Sequence, residues 1–157
     1  MNIIPKDSFT ISTPDSVTVV LQRLNEKIEV PKILGFPTNG LPYQGNISEK
    51  GFKITRNVYR KLFIPVVKGR FEAQSHQTDV HIEMSLHPAA MGFLGFFFLF
   101  WYSAVVPIML ESAANLGITA VFPSIPPMIL IVVWVFFRSE VSRSRGELTK
   151  IIQGKQP

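Results

Sequence analysis

Asp79, His81, Glu83 and His87 alternate with apolar residues along one stretch of the chain. In an extended strand such residues share a face at spacings of about 6.5–7 Å. Imidazole and carboxylate side by side are what a divalent metal or a general acid–base would use. No second pattern reinforces the first: His76 lies in a turn signal, and the chain has no cysteine. A solvated strand face, with Glu83 opposite Lys68, is the simpler account, so no metal site is assigned. Nucleophile-elbow, phosphate-loop, dinucleotide and zincin motifs are also absent, which leaves no catalytic residue and excludes an enzyme as the expectation. His87 stands apart. It precedes a long uncharged block by one residue, where its imidazole has the place of a ligand to the metal of a chlorophyll-type pigment or a porphyrin. Pigment and bound lipid are the two cofactors the sequence admits.

Basic residues form a second candidate set. Lys50, Lys53, Arg56, Arg60 and Lys61 cluster around one strand and the turn after it, and Arg138, Arg143 and Arg145 follow the uncharged block. Cations there point to lipid headgroups or an acidic partner. Arg56 is the awkward member, because in a strand it shares a side with Phe52 and Ile54. The net charge of +5 and a pI near 9.7 would suggest nucleic acid in a soluble protein. Positive charge concentrated beside an apolar block has a simpler origin in membrane orientation, and no nucleic-acid partner is expected.

The elements that position these residues divide sharply. From Pro88 to Phe137 the chain carries one charge, Glu111. Pro88–Leu110 is uncharged and long enough for a bilayer core of about 30 Å; Pro107 should loosen its far end. Trp101 and Tyr102 lie too deep in it for an interfacial belt. Ala89, Gly92 and Gly95 make a ridge of small residues that lets another helix approach, either the second span or another subunit. Trp134 is the matching packing residue of the second span, which covers about 118–137 and is interrupted by Pro123, Pro126 and Pro127. Ile125–Phe137 alone rises only about 20 Å, so either Ile118–Phe122 adds a turn and the span is kinked, which is preferred, or the helix is short. Lys68 and Arg70 before the block, and five Lys/Arg after it, against none in the connecting loop, put both ends on the cytoplasmic or stromal side of a bacterial inner or thylakoid membrane.

Residues 1–87 read as an α+β domain. Thr13 and Pro14 open a helix over 13–28 with Val17, Val20, Leu21, Leu24 and Ile28 on one face. Tyr43–Ile47 and Phe52–Val58 flank a turn. Ile64–Ala73 and Thr78–His87 form the best strand pair, its four-residue loop setting Lys68 opposite Glu83 and Arg70 opposite His81. This predicts an antiparallel sheet with one wet and one buried face. Cover for the buried face comes from the helix at 13–28 or from 138–157, a basic amphipathic helix with Val141, Leu148, Ile151 and Ile152 on one side. The expected architecture is an α+β, helix-grip-like domain interrupted by a transmembrane hairpin at 88–137, with a pleckstrin-homology-like arrangement as the alternative.

The run Gly51-Phe52-Lys53-Ile54-Thr55-Arg56-Asn57, then Tyr59-Arg60, Phe63-Ile64-Pro65 and Gly69-Arg70-Phe71, with Leu86-His87-Pro88 after it, resembles uncharacterised bacterial membrane proteins, cyanobacterial ones among them. In these a soluble β-rich region precedes two apolar spans and a short basic tail. The resemblance spans most of 43–157. It implies a small bacterial accessory membrane protein and assigns no site residue. The combined expectation is a non-catalytic accessory, structural or assembly subunit of a larger photosynthetic or respiratory membrane complex. A membrane-tethered lipid- or small-ligand-binding module is the alternative.

Overall fold

The computed structural model describes residues 5–30, 40–57, 63–111 and 121–155. Strand β1 (Lys6–Thr13) is followed by helix α1 (Val17–Asn25) and a short strand β2 (Ile28–Glu29). Two hairpins come next: β3 (Tyr43–Ser48) with β4 (Gly51–Arg56), and β5 (Pro65–Ala73) with β6 (Thr78–Leu86). Helix α2 (Pro88–Glu111) leads away from the sheet. After a 3-10 turn at Phe122–Ser124, helix α3 (Ile125–Ile152) returns.

The six strands lie in the order β1-β6-β5-β4-β3-β2. All neighbours are antiparallel except β2 and β3, which are parallel, so the sheet is mixed rather than purely antiparallel. Both predicted hairpins form. Lys68 faces Glu83 and Arg70 faces His81, as the loop length requires. On β6, Val80, Ile82, Met84 and Leu86 turn inward and are buried, while His81 is exposed on the other face.

Two elements differ from expectation at the N-terminus. Lys6–Thr13 is an edge strand on β6, with Phe9, Ile11 and Thr13 alternating against Ser8, Thr10 and Ser12. The helix therefore starts at Val17, not Thr13. Pro14 restricts the residue before it to extended geometry, which suits Thr13 as the last residue of β1, and the Asp15 N–H donates to the Thr13 hydroxyl. At the other end Ile28, expected on the helix, lies in β2 and is buried there.

A larger difference concerns the C-terminal part. The second apolar segment and the basic amphipathic tail are one uninterrupted helix, with no break at Phe137–Arg138. Its 28 residues span about 42 Å. The first half carries exposed Ile131, Val132, Val135 and Phe136. The second half lays Val141, Ser144, Leu148 and Ile152, all buried, across the inner face of the sheet. Helix α1 adds Val20 and Leu24 to the same core, so both candidate covers are used. Gln153, in left-handed geometry, ends the helix, and Lys155 pairs with Ser12 through two backbone hydrogen bonds of 2.9 Å on the open edge of β1.

Two helices, α2 and the one comprising the 3-10 turn and α3, are long and apolar enough to cross a membrane. α2 continues through Pro107 to Glu111. Residues 118–120, part of the turn expected to extend the second span, lie outside the described residues.

The Phe52 ring packs against Gly69, where an added Cβ would overlap it. Gly69→Ala must displace that ring in a filled core, and it should lower stability by about 1–3 kcal/mol. In a Phe52→Leu background the same change should cost clearly less, a coupling that thermal melts of the four proteins would measure.

Candidate functional site

The junction between the sheet and the apolar helices is where most singled-out residues meet. Arg56 ends β4 on the inner face and is the centre of a polar cluster. Its Nη1 donates to Glu140 and its Nη2 to Glu147, each at 3.0 Å. The two carboxylates stand seven residues apart on α3, two turns, so one guanidinium fork clamps the helix to the sheet. Tyr43 on β3 donates its hydroxyl to the other oxygen of Glu147 at 2.9 Å. Burial pushes the Tyr43 phenol well above its ordinary range, with help from the Glu147 charge and against the Ser144 hydroxyl and Arg56. It therefore stays a donor. Arg143, one turn before Glu147, joins from the solvent side at 3.3 Å. Arg56 and Arg145 were expected at headgroups or a partner; both are committed internally. Arg145 donates to Asp7 at 2.8 Å and lies over the Phe9 ring at 4.5 Å.

The carboxylate–histidine strand face is likewise occupied. Asp79 accepts from the Gln74 and Gln77 amides, and Glu83 pairs with Lys6, not with the Lys68 opposite it. His81 bridges Thr10 at Nδ1, 2.9 Å, and Glu72 at Nε2, 2.7 Å. Hydroxyl, imidazole and carboxylate in that order are the parts of an activated nucleophile, but His81 and Glu72 are half exposed on an open face that does not exclude water. Among the described residues no group of three or more His, Cys, Asp or Glu is placed to hold a metal ion.

His87 is used as a helix cap. Its carbonyl accepts from Ala90 and Met91, and its Nδ1 accepts the Ala89 N–H at 3.1 Å. A neutral imidazole that accepts at Nδ1 carries its proton on Nε2. The Nδ1 lone pair is thereby engaged within the chain.

Trp101 and Tyr102 have a specific task. Pro126 and Pro127 in the first turn of α3 lack the N–H groups that would reach back four residues. The carbonyls deprived of those donors belong to Phe122, which still accepts the Ile125 N–H in the 3-10 turn, and Pro123. Trp101 Nε1 donates to the first at 3.0 Å and the Tyr102 hydroxyl to the second at 3.2 Å. The ridge Ala89, Gly92, Gly95 is exposed, and a Cβ on either glycine meets nothing within 4 Å, so it is not the seam between the two helices. That seam uses Ala90 and Val105, both buried, on α2 and Val133 on α3. Trp134 sits beneath Arg138, whose guanidinium is 4.7 Å from the ring centroid.

On the outer face of the sheet an open groove of about 840 Å³ is lined by Lys53, Lys68, Arg70, Thr10 and His81, among others. Lys53 and Lys68 are directly opposed. Neither they nor Arg70 form an ion pair among the described residues. Arg60 and Lys61 lie outside the described residues.

Comparison of the chain with protein-family models, with curated proteins and with solved structures finds no match in any of the three.

Arg56→Met would leave Glu140 without its cation and Glu147 with only the exposed Arg143, at a site where the arginine is 12% exposed. Stability in detergent should fall by about 2 kcal/mol, below the range for fully buried pairs because the carboxylates keep some water. Tyr102→Phe should cost about 1–3 kcal/mol by removing the donor to the Pro123 carbonyl, more than Trp101→Phe, because the Phe122 carbonyl keeps the Ile125 N–H. Tyr102→Phe melting with the wild type would show that the Pro123 carbonyl has another donor.

Proposed function

We propose that this chain is an integral membrane protein whose two apolar helices span the bilayer as a hairpin. The sheet domain and the end of α3 then lie together on the positively charged side. Support comes from the solvent each surface demands. Phe96, Leu99, Phe100 and Leu110 on α2 are 65–77% exposed, and so many large apolar side chains on one helix are stable only in lipid or against another protein. The 24 residues of α2 reach about 36 Å, enough for the core.

In that setting the protein acts as a non-catalytic accessory or assembly subunit of a larger bioenergetic membrane complex, photosynthetic or respiratory. The observation carrying this reading is the outer face of the sheet. Like charges directly opposite on neighbouring strands are destabilising, yet Lys53 faces Lys68 with Arg70 beside them, and the carboxylate opposite Lys68, Glu83, is paired with Lys6 instead. An acidic surface of a partner subunit would offset that repulsion. The exposed small-residue ridge of α2 is a second place where another subunit's helix fits.

Extraction of native membranes in mild detergent, followed by native gels and identification of the co-migrating subunits, tests the proposal. The wild type should run in a large complex, and Lys53→Glu with Lys68→Glu should release most of it. Migration of the wild type only as a free small protein would sink the idea. Loss of function on His81→Ala with the complex intact would point to the Thr10–His81–Glu72 trio instead.

A further inference from the structure

At the junction, two cavities meet end to end. The first, about 340 Å³, lies between the start of β1 and α3 and is lined by Lys6, Asp7, Arg138 and Arg145 around the rim of Trp134. The second, about 290 Å³, lies between α2 and α3 and is lined almost wholly by apolar groups, among them Leu94, Gly95, Phe98, Leu130 and Val133. Pro5 and Trp134 belong to both. Along α3 the order is Leu130, Trp134, Arg138: one turn from the indole toward the hairpin tip everything is apolar, and one turn toward the sheet it is cationic.

The charges of the first cavity do not balance. Two cations, Arg138 and Arg145, face one carboxylate, Asp7, which is already held by Arg145 at 2.8 Å. Lys6 is paired outside the cavity with Glu83 at 3.0 Å. Arg138 has only the indole face beneath it and no ion pair among the described residues. The Nε of Arg145 is buried and without a hydrogen-bond partner. An anion is what this chamber lacks.

We propose that the paired cavities hold one anionic diacyl phospholipid, its phosphate against Arg138 and Arg145 and one acyl chain in the groove between α2 and α3. This rests on the reading of α2 and α3 as membrane spans. The polarity gradient selects a lipid over a free phosphate, because an inorganic anion would leave the apolar groove unfilled. It also matches the direction of a phospholipid in the leaflet on the side of the sheet: head toward the domain, tail toward the hairpin tip. Arg138 stacked on Trp134 keeps its donors free for the phosphate while the indole excludes water from one side.

Full-length protein in detergent, titrated with dioleoylphosphatidylglycerol or dioleoylphosphatidylcholine and read by native mass spectrometry, tests this. One phosphatidylglycerol should be retained per chain, and phosphatidylcholine with the same tails about tenfold more weakly. Arg138→Gln should weaken phosphatidylglycerol retention about fivefold, while Arg143→Gln, the same loss of charge outside the cavities, should change it little. Gly95→Leu puts a side chain into the groove from a position where a Cβ has open space; it should abolish retention while leaving the melting temperature unchanged or higher. Glycerol 3-phosphate should not compete. Equal retention of the two lipids, competition by glycerol 3-phosphate, or indifference to both Arg138→Gln and Gly95→Leu would overturn the site. Alkaline carbonate extraction of the same variants separates this from the spanning proposal: a membrane-resident protein without selective lipid leaves the spans intact and removes only the site.

Discussion

The constraint on which the rest depends is that α3 is unbroken. Its first half is apolar all round and its second half is amphipathic, so one rigid rod must satisfy two surroundings. Because no hinge separates them, the position of Leu148 and Ile152 on the sheet fixes where Trp134 and Leu130 stand against α2. Arg56 secures this arrangement. It sits on the last residue of β4, and the fork of its guanidinium reaches Glu140 and Glu147 two turns apart. A lysine, a single point charge, could not span both. The clamp explains why a cation lies on the inner face at all: it is the price of docking a helix that carries carboxylates on its buried side.

A second constraint acts at the opposite end of the hairpin. Helices in lipid must satisfy their own carbonyls, because no water is there to do it. Two adjacent prolines in the first turn of α3 remove two of the N–H donors, and Trp101 and Tyr102 supply replacements from α2, the one at Phe122 beside the Ile125 N–H. Their depth in the span, which does not suit an aromatic belt, follows from where Phe122 and Pro123 lie. The same two bonds tie the start of α3 to α2 well before the end of α2 at Glu111, and the small-residue ridge is left open on the outside. With Arg56 at one end and this pair at the other, the hairpin is fixed to the sheet without using the glycines.

Period-two patterning made the two hairpins and the Lys68–Glu83 register legible, because a four-residue loop admits one pairing and a slip would bury charge. The amphipathic face of the tail was equally plain, as was the uncharged block. β1 was not, although Phe9-Thr10-Ile11-Ser12-Thr13 alternates. Thr13-Pro14 carries two signals at once, a strand end and a helix start, and assigning the helix there hid the strand. The parallel contact of β2 depends on two residues and has no sequence signature. The continuity of α3 was obscured by reading the change in composition at Arg138 as a change in element. For the site, sequence located the basic residues but not their uses. Whether an arginine serves a partner or a neighbouring glutamate depends on tertiary contacts that bring residue 56 to residues 140 and 147. Only the placement of Arg56 beside Phe52 and Ile54 hinted at the inward turn.

The positive charge therefore has three distinct destinations. Arg56 and Arg145 spend theirs on the carboxylates Glu140, Glu147 and Asp7, which makes them part of the fold. Lys53, Lys68 and Arg70 form no ion pair among the described residues and lie on the far face of the sheet, where repulsion between strands is tolerated. Arg138 lies between these cases, on the boundary where α3 passes from apolar to polar surroundings. A cation held over an indole there has lost part of its water and gained no carboxylate. Such a group is most stable when an anion approaches from the open side, and the surface nearest to it on the proposed topology is the headgroup layer. Orientation, lipid recognition and subunit contact would then draw on separate residues, so a change at one need not disturb the others.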